Sequence, residues 1–228
     1  MARQPVPVEG GRWATFDCYG TLVDWDVGVG SELERLFGAA LRDSLLARYH
    51  ELEPAIENAS PGARYRDVMR AVLAELAAST GLELPVGEAD ALARSLPRWP
   101  VFPEVRAELT EANRRGWQLV ILSNTDADLL DASIEAIGVP FSGAIVASDI
   151  GSYKPAHRHW QAFYERTQAD TRRHVHIAQS HFHDVVPSCE LGIRSIWVNR
   201  RGEHARPSPT AELPDLRGLA DMLDAFVP

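Results

Sequence analysis

Five short runs rich in apolar and β-branched residues limit what this chain can become: RWATFD (12–17), WQLVILSN (117–124), GAIVASD (143–149), HVHIAQS (174–180) and RSIWVNR (194–200). Four of them are apolar nearly throughout, as strands covered on both faces must be. Helical patterns fill the gaps between the last four: DADLLDASIEAIG, PAHRHWQAFYERTQ and DVVPSCELGI. Strands alternating with helices predict a parallel sheet held between helix layers. The interval between the first and second runs breaks that rhythm, because it holds almost no strand signal. In YRDVMRAVLAELAAST, Tyr65, Val68, Met69, Val72, Leu73 and Leu76 form one apolar stripe at helical spacing. GSELERLFGAALRDSLLARYHELE before it and VGEADALARSLPRW after it also read as helical, and the prolines of RWPVFPEV punctuate the return. The expected fold is therefore α/β. A Rossmann-like core of residues 1–24 and 101–228 is flanked by helices, and residues 25–100 are inserted as an all-helical cap.

Composition narrows the function classes. The formal charge of −9 is spread along the chain with no long basic run, which argues against nucleic acid as a partner. No stretch approaches the roughly 18 apolar residues of a membrane span. The segment MARQPVPVEGGRW has no leader-type apolar core, so a cytoplasmic location is expected. Cys18 and Cys189, far apart in sequence, fit reduced thiols better than a disulfide. The locally basic RRGEHARPSP reads as a solvated loop.

In open α/β sheets the ligand crevice lies beyond the carboxyl ends of the strands. The first run ends on Asp17, the second on Ser123 and Asn124, the third leads to Lys154, and the fourth delivers Gln179, Ser180, His181, His183 and Asp184. These groups suit a carboxylate nucleophile. Asp17 would form a covalent ester and divide one hard displacement into two easier steps. Lys154 would keep it ionised and hold its pKa down. Ser123 and Asn124 offer neutral donors, while Gly20 and Thr21 offer a tight turn with a hydroxyl. Asp184 would orient Lys154 or position water. Taken singly each has a structural alternative: turn or helix capping for Asp17, Ser123 and Asn124, a solvated loop for Lys154, a helix-terminal charge for Asp184. Their recurrence at four successive strand ends favours a joint function.

With these residues in view the chain resembles the haloacid dehalogenase superfamily. FDCYGTLVDW is similar to its first motif, LVILSN to its second, YKP to its third and HIAQSHFHD to a variant of its fourth. The first motif, the helical cap and the closing WVNR look most like the L-2-haloacid dehalogenase branch. The resemblance implies a hydrolase that opens the carbon–halogen bond of short 2-haloacids, with Asp17, Lys154 and Asp184 as catalytic residues. Thr21, Tyr19, Ser123, Asn124, Ser180 and His181 would bind substrate, joined by a cap arginine chosen among Arg35, Arg42 and Arg48, with Arg48 preferred. Trp25 and Phe37 would line an apolar pocket. Phosphatases of the superfamily carry an acid where this chain has Tyr19, and an acidic pair for Mg²⁺ where it has Gln179. A halide needs no proton to depart, and losing a carboxylate weakens a Mg²⁺ site, so no metal or other cofactor is expected. The resemblance also allows a homodimer.

The chain departs from the dehalogenase pattern at Gln179, Ser180 and His181, and carries Trp160 where a tyrosine is usual. His181 or His183 is then a candidate base for water. Two other readings stay open: a Mg²⁺-dependent phosphatase of small esters, and a non-catalytic binding protein on the same fold.

Overall fold

The computed structural model describes residues 4–228. The apolar runs become strands β1 (Arg12–Phe16), β2 (Trp117–Ser123), β3 (Gly143–Val146), β4 (His174–Ala178) and β5 (Arg194–Val198). A short edge strand that no apolar run announces, β6 (Ala211–Leu213), completes a six-stranded sheet of order β3-β2-β1-β4-β5-β6. All neighbouring pairs are parallel. The chain leaves β1 in one direction to β2 and later returns on its other side to β4. The ends of β1 and β4 thus flank the switch point where such sheets bind ligands.

Between β1 and β2 stand α1 (Trp25–Phe37), α2 (Arg42–Ala59), α3 (Tyr65–Thr80) and α4 (Ala91–Ser95), with no strand in residues 25–100. The stretch that reads as one long helix before α3 is two. Gly38 ends α1 at φ 92° and ψ 153°, a backbone that residues with a Cβ rarely adopt, and α2 starts afresh after a turn of 3-10 helix. The α3 stripe behaves as its spacing predicts: Tyr65, Val68, Met69, Val72, Leu73 and Leu76 are all buried. After the helical interval come α5 (Val105–Arg114), α6 (Ala127–Ile137), α7 (Ala147–Ile150), α8 (Arg158–Thr167), α9 (Val186–Glu190) and α10 (Leu219–Phe226).

Two apolar layers sandwich the sheet. One joins Trp13, Val120, Leu122 and Ile145 to Trp160 and Phe163 of α8. The other joins Phe16, Leu119 and Ile121 to Leu109, Leu130 and Leu223, and runs without interruption into Val29, Leu33, Tyr49 and Leu73 of the helical interval. Specific bonds fix these helices to the sheet. The N-cap residue of α3, Arg64, makes no side-chain cap, so the free N–H groups of its first turn need a donor-seeking partner from elsewhere. Fully buried Asp126 supplies it, accepting from the Tyr65 N–H at 3.0 Å and from Arg66 Nε at 3.0 Å. On α1, a Cβ at Gly28 would lie 2.4 Å from the Trp99 ring, so glycine permits that close approach. Among the described residues no helix is long and apolar enough to cross a membrane.

Candidate active site

Asp17 is the first residue past β1, and its N–H still donates to Ile177 O of β4 at 3.0 Å, so the sheet itself fixes its position. Lys154, 2 % exposed, lies between α7 and α8. Its three ammonium hydrogens have three acceptors: Asp17 Oδ1 at 2.9 Å, Asp184 Oδ1 at 2.7 Å and the Leu122 carbonyl at 2.9 Å. The Thr21 hydroxyl donates to Asp17 Oδ2 at 2.7 Å and accepts from the Gln179 N–H at 2.8 Å, tying the β1 turn to the β4 end. Asn124 locks the lysine loop twice, its Oδ1 accepting from the Lys154 N–H at 2.7 Å and its Nδ2 donating to the Lys154 carbonyl at 3.0 Å. The strand ends therefore bring together Asp17, Thr21, Asn124, Lys154 and Asp184.

The electrostatics correct one expectation. Burial lifts the Asp17 carboxyl above its ordinary range; Lys154 pulls it down without prevailing, and Asp184 adds to the lift. Burial pushes Asp184 up as well, but Lys154 and His176 overrule it and hold that carboxyl down at about 2. Lys154 is itself raised, its two carboxylates outweighing desolvation. Two acids share one ammonium and divide unequally. Asp184 is the firm counter-ion, and Asp17 is the more basic oxygen donor.

A cavity of about 620 Å³ opens over this triad. Asp17, Tyr19, Ser123, Asn124, Lys154, Ser180, His181 and Asp184 line it from the sheet side, and Trp25, His50, Glu53, Glu57 and Tyr65 from α1–α3. Its wall holds more carboxylates than cations, and each cation is engaged: Lys154 in the triad, Arg200 with Glu104 at 2.7 Å, Arg201 with Asp26. Buried atoms of the lining residues without a hydrogen-bond partner include the Ser123 hydroxyl, Asp184 Oδ2 and Arg200 Nε.

Several expected residues take other parts. Tyr19 donates to or accepts from the Ser133 hydroxyl at 3.1 Å, lies parallel to Tyr65 and edge-on to Trp99, and burial drives its phenol far above the ordinary range. Ser180 accepts from the His183 N–H, and His181 Nε2 meets the Pro207 carbonyl at 2.8 Å, which ties it to the loop before β6. Arg48 does not reach the cavity: it is 43 % exposed and pairs with Glu51 at 2.6 Å on the outer face of α2, while its neighbour Tyr49 turns inward. Arg35 and Arg42 likewise pair with acids away from the cavity. Phe37 is absent from its wall, whereas Trp25 is on it. Trp160 belongs to the α8 layer and sits edge-on to His176.

Sequence reasoning missed the helical wall. Glu53 Oε1 accepts from Tyr65 at 2.7 Å and Tyr49 at 3.3 Å; Glu57 Oε2 accepts from Asn124 Nδ2 at 3.3 Å and lies 3.9 Å from His183 Nε2. Burial raises Glu53 to about 7, and burial with the neighbouring Glu53 raises Glu57 to about 9. Burial lowers His183 to about 4, so it faces Glu57 uncharged. Arg200, read as a loop residue, lies over the Phe102 ring at 3.6 Å and donates to the Thr21 carbonyl.

The donor set does not suit a resident divalent cation. The Lys154 ammonium already bridges Asp17 and Asp184, Thr21 holds the second Asp17 oxygen, and Gln179 offers a neutral amide. Mg²⁺ wants near-octahedral oxygens with one or two free carboxylates. No cluster of three or more His, Cys, Asp or Glu side chains able to hold a metal occurs among the described residues.

Known proteins are similar to this chain in sequence and in fold. The chain is 28 % identical over 217 residues to (S)-2-haloacid dehalogenase of Pseudomonas sp. strain YL, covering 92 % of this chain and 93 % of that protein. It is 30 % identical over 141 residues to phosphoserine phosphatase of Thermus thermophilus, covering 61 % and 55 %. In fold it is similar to L-2-haloacid dehalogenase of Xanthobacter autotrophicus with chloropropionic acid covalently bound, at TM-score 0.82, 18 % identity and coverage of 94 % and 98 %. The profile of haloacid dehalogenase-like hydrolases matches residues 12–178, from the start of β1 to the end of β4, and the chain belongs to that family.

Proposed function

We propose that the protein is a 2-haloacid dehalogenase with Asp17 as its nucleophile. The observation that carries the reading is the pairing of a buried, relatively basic Asp17 with a neighbour, Tyr19, whose phenol is engaged with Ser133 and held far from ionisation. A leaving group that requires a proton would find no acid at the Tyr19 position beside the nucleophile. A halide does not require one.

In the first step an Asp17 oxygen attacks C2 of the haloacid, the carbon–halogen bond breaks, and the halide departs with the bonding pair. Lys154 and Thr21 hold the carboxylate in place, one donor to each oxygen. In the second step water adds to the Asp17 carbonyl carbon, the acyl C–O bond breaks, and the 2-hydroxy acid leaves with Asp17 restored and one proton released. Asp184 Oδ2, buried and without a partner, accepts a hydrogen of that water. Residues 25–100 act as a cap that closes the cavity. The substrate carboxylate meets donors in place of a cap arginine: the Ser123 hydroxyl, and the Glu57 carboxyl, which keeps its proton at neutral pH. The same reading places the enzyme in the cytoplasm as a homodimer.

The deciding experiment measures halide release from chloroacetate and 2-chloropropionate with and without EDTA, followed by mass spectrometry of the Asp17 peptide. Halide release that EDTA leaves unchanged, with a substrate-derived mass on Asp17, is expected. Mg²⁺-dependent phosphate release from small esters, without halide release, would overturn the reading in favour of the phosphatase.

A further inference from the structure

A row of polar side chains crosses the apolar layer between the sheet and α8. Tyr164 Oη lies 2.7 Å from His174 Nδ1, His174 Nε2 lies 2.7 Å from Thr15 Oγ1, Thr15 Oγ1 lies 2.8 Å from His176 Nδ1, and His176 Nε2 lies 2.9 Å from Asp184 Oδ1. Strand pairing explains the alignment. Thr15 and His176 are register partners between β1 and β4, and His174, two residues earlier, shares their face. Thr15, His174, His176 and Asp184 are fully buried, and the rings of Trp160 and Phe163 pack against the two imidazoles. Such a row is costly in an apolar layer unless every member is satisfied.

The far end of the row determines its direction. Asp184 Oδ1 also accepts from Lys154, and an ionised carboxylate can only accept, so His176 must donate through Nε2–H. With a single proton on His176, its Nδ1 accepts from the Thr15 hydroxyl, Thr15 Oγ1 accepts from His174 Nε2–H, and His174 Nδ1 accepts from Tyr164. We infer that Tyr164, His174, Thr15 and His176 form a one-way donor series that positions Asp184 and, through it, Lys154 and Asp17. This inference rests on the dehalogenase reading only for its kinetic consequence. The series points into the site. It therefore holds Asp184 as an acceptor and cannot drain from it the proton released in the second step. The titratable groups that interact with His176 are Asp184 at its inner end, His174 on β4 and His159 on α8, and Lys154 shares Asp184 Oδ1 with it. His159 stays uncharged, pushed down to about 3 by burial and by Lys154.

The test has an arm that needs no turnover. In the full chain at pH 7, two-bond ¹H–¹⁵N correlation should find His174 and His176 each with a single proton, on Nε2. Thr15→Val removes the acceptor of His174 and should move the His174 proton to Nδ1, facing Tyr164, while His176 keeps its own on Nε2. A wild-type His176 protonated on Nδ1, or on both nitrogens, overturns the series. In the kinetic arm, His176→Phe should lower kcat for halide release at least tenfold, leave KM within threefold, and move the acid limb of the pH profile upward by about a pH unit. His176→Gln, which restores a donor to Asp184, should recover part of both losses. An unmoved acid limb in a folded His176→Phe variant refutes the positioning role. Should haloacids give no halide at all, the dehalogenase reading fails, and the wild-type tautomers still decide the series.

Discussion

The two walls of the cavity treat buried charge in opposite ways. On the sheet side, Asp17 and Asp184 share Lys154 at 2.9 and 2.7 Å, and every ammonium hydrogen has an acceptor. On the helical side, Glu53 and Glu57 stand one turn apart on α2 with tyrosine hydroxyls and an amide as donors, and no lysine or arginine pairs with either among the described residues. Strand register can deliver a cation to a carboxylate from a neighbouring strand end. A surface helix laid over the sheet has no such partner, so its inward acids are held by neutral donors and bind protons more tightly than usual, Glu57 the more firmly. Compensated charge is thus concentrated at the strand ends, while the helical wall contributes shape and neutral hydrogen-bond donors.

Removing the proposed nucleophile gives the largest expected effect. Asp17→Asn should cut halide release by on the order of 10⁴ or more, as loss of a covalent nucleophile does, while circular dichroism stays native. A residual rate within tenfold of wild type would remove Asp17 from the chemistry. Next comes the shared cation. Lys154→Met leaves Asp17 and Asp184 buried without their shared cation and should cost about 3–5 kcal/mol in urea unfolding, along with activity.

The helical wall should respond in the other direction. Glu57 binds a proton more tightly in the folded protein, at about 9, than its ordinary 4.5. Wild-type stability should therefore fall as pH rises between those values, because the folded state keeps a proton that unfolding releases, and rising pH favours the release. Glu57→Gln removes that slope and should gain at least about 1.4 kcal/mol at pH 8, the worth of one pKa unit. Its amide still donates, so KM for the haloacid should stay within a few-fold. A loss of stability at pH 8 would mean that the walls do not differ as described. The smallest effect belongs to Arg48→Ala, expected within about 0.5 kcal/mol of wild type in stability and within twofold in KM, since its partner Glu51 is itself exposed.

The difference between the walls also explains which residues could be read beforehand. Asp17, Asn124, Lys154 and Asp184 announce themselves because an apolar run that stops on, or leads to, a polar residue marks a strand end, and the parallel topology then gathers the strand ends. No comparable signal exists for α2. Only Leu45, Tyr49 and Glu57 of its eighteen residues are buried, so its pattern identifies no inner face. One residue then turns the assignment by roughly a quarter of a turn, which separates exposed Arg48 from buried Tyr49. The break at Gly38 compounds this by giving α2 its own axis. The polar row on β4 was visible as HVH in an otherwise apolar run, but its partners Thr15 and Tyr164 become identifiable only once register and α8 are known.

The surplus of carboxylates on the cavity wall bears on the end of the catalytic cycle. A halide freed beside Asp17 finds Lys154, Arg200 and Arg201 each already paired with an acid, so the cavity holds it only weakly by charge. Product escape should be fast, and accumulating chloride should inhibit poorly, so turnover would continue in saline surroundings that stall an enzyme with a free guanidinium at its centre.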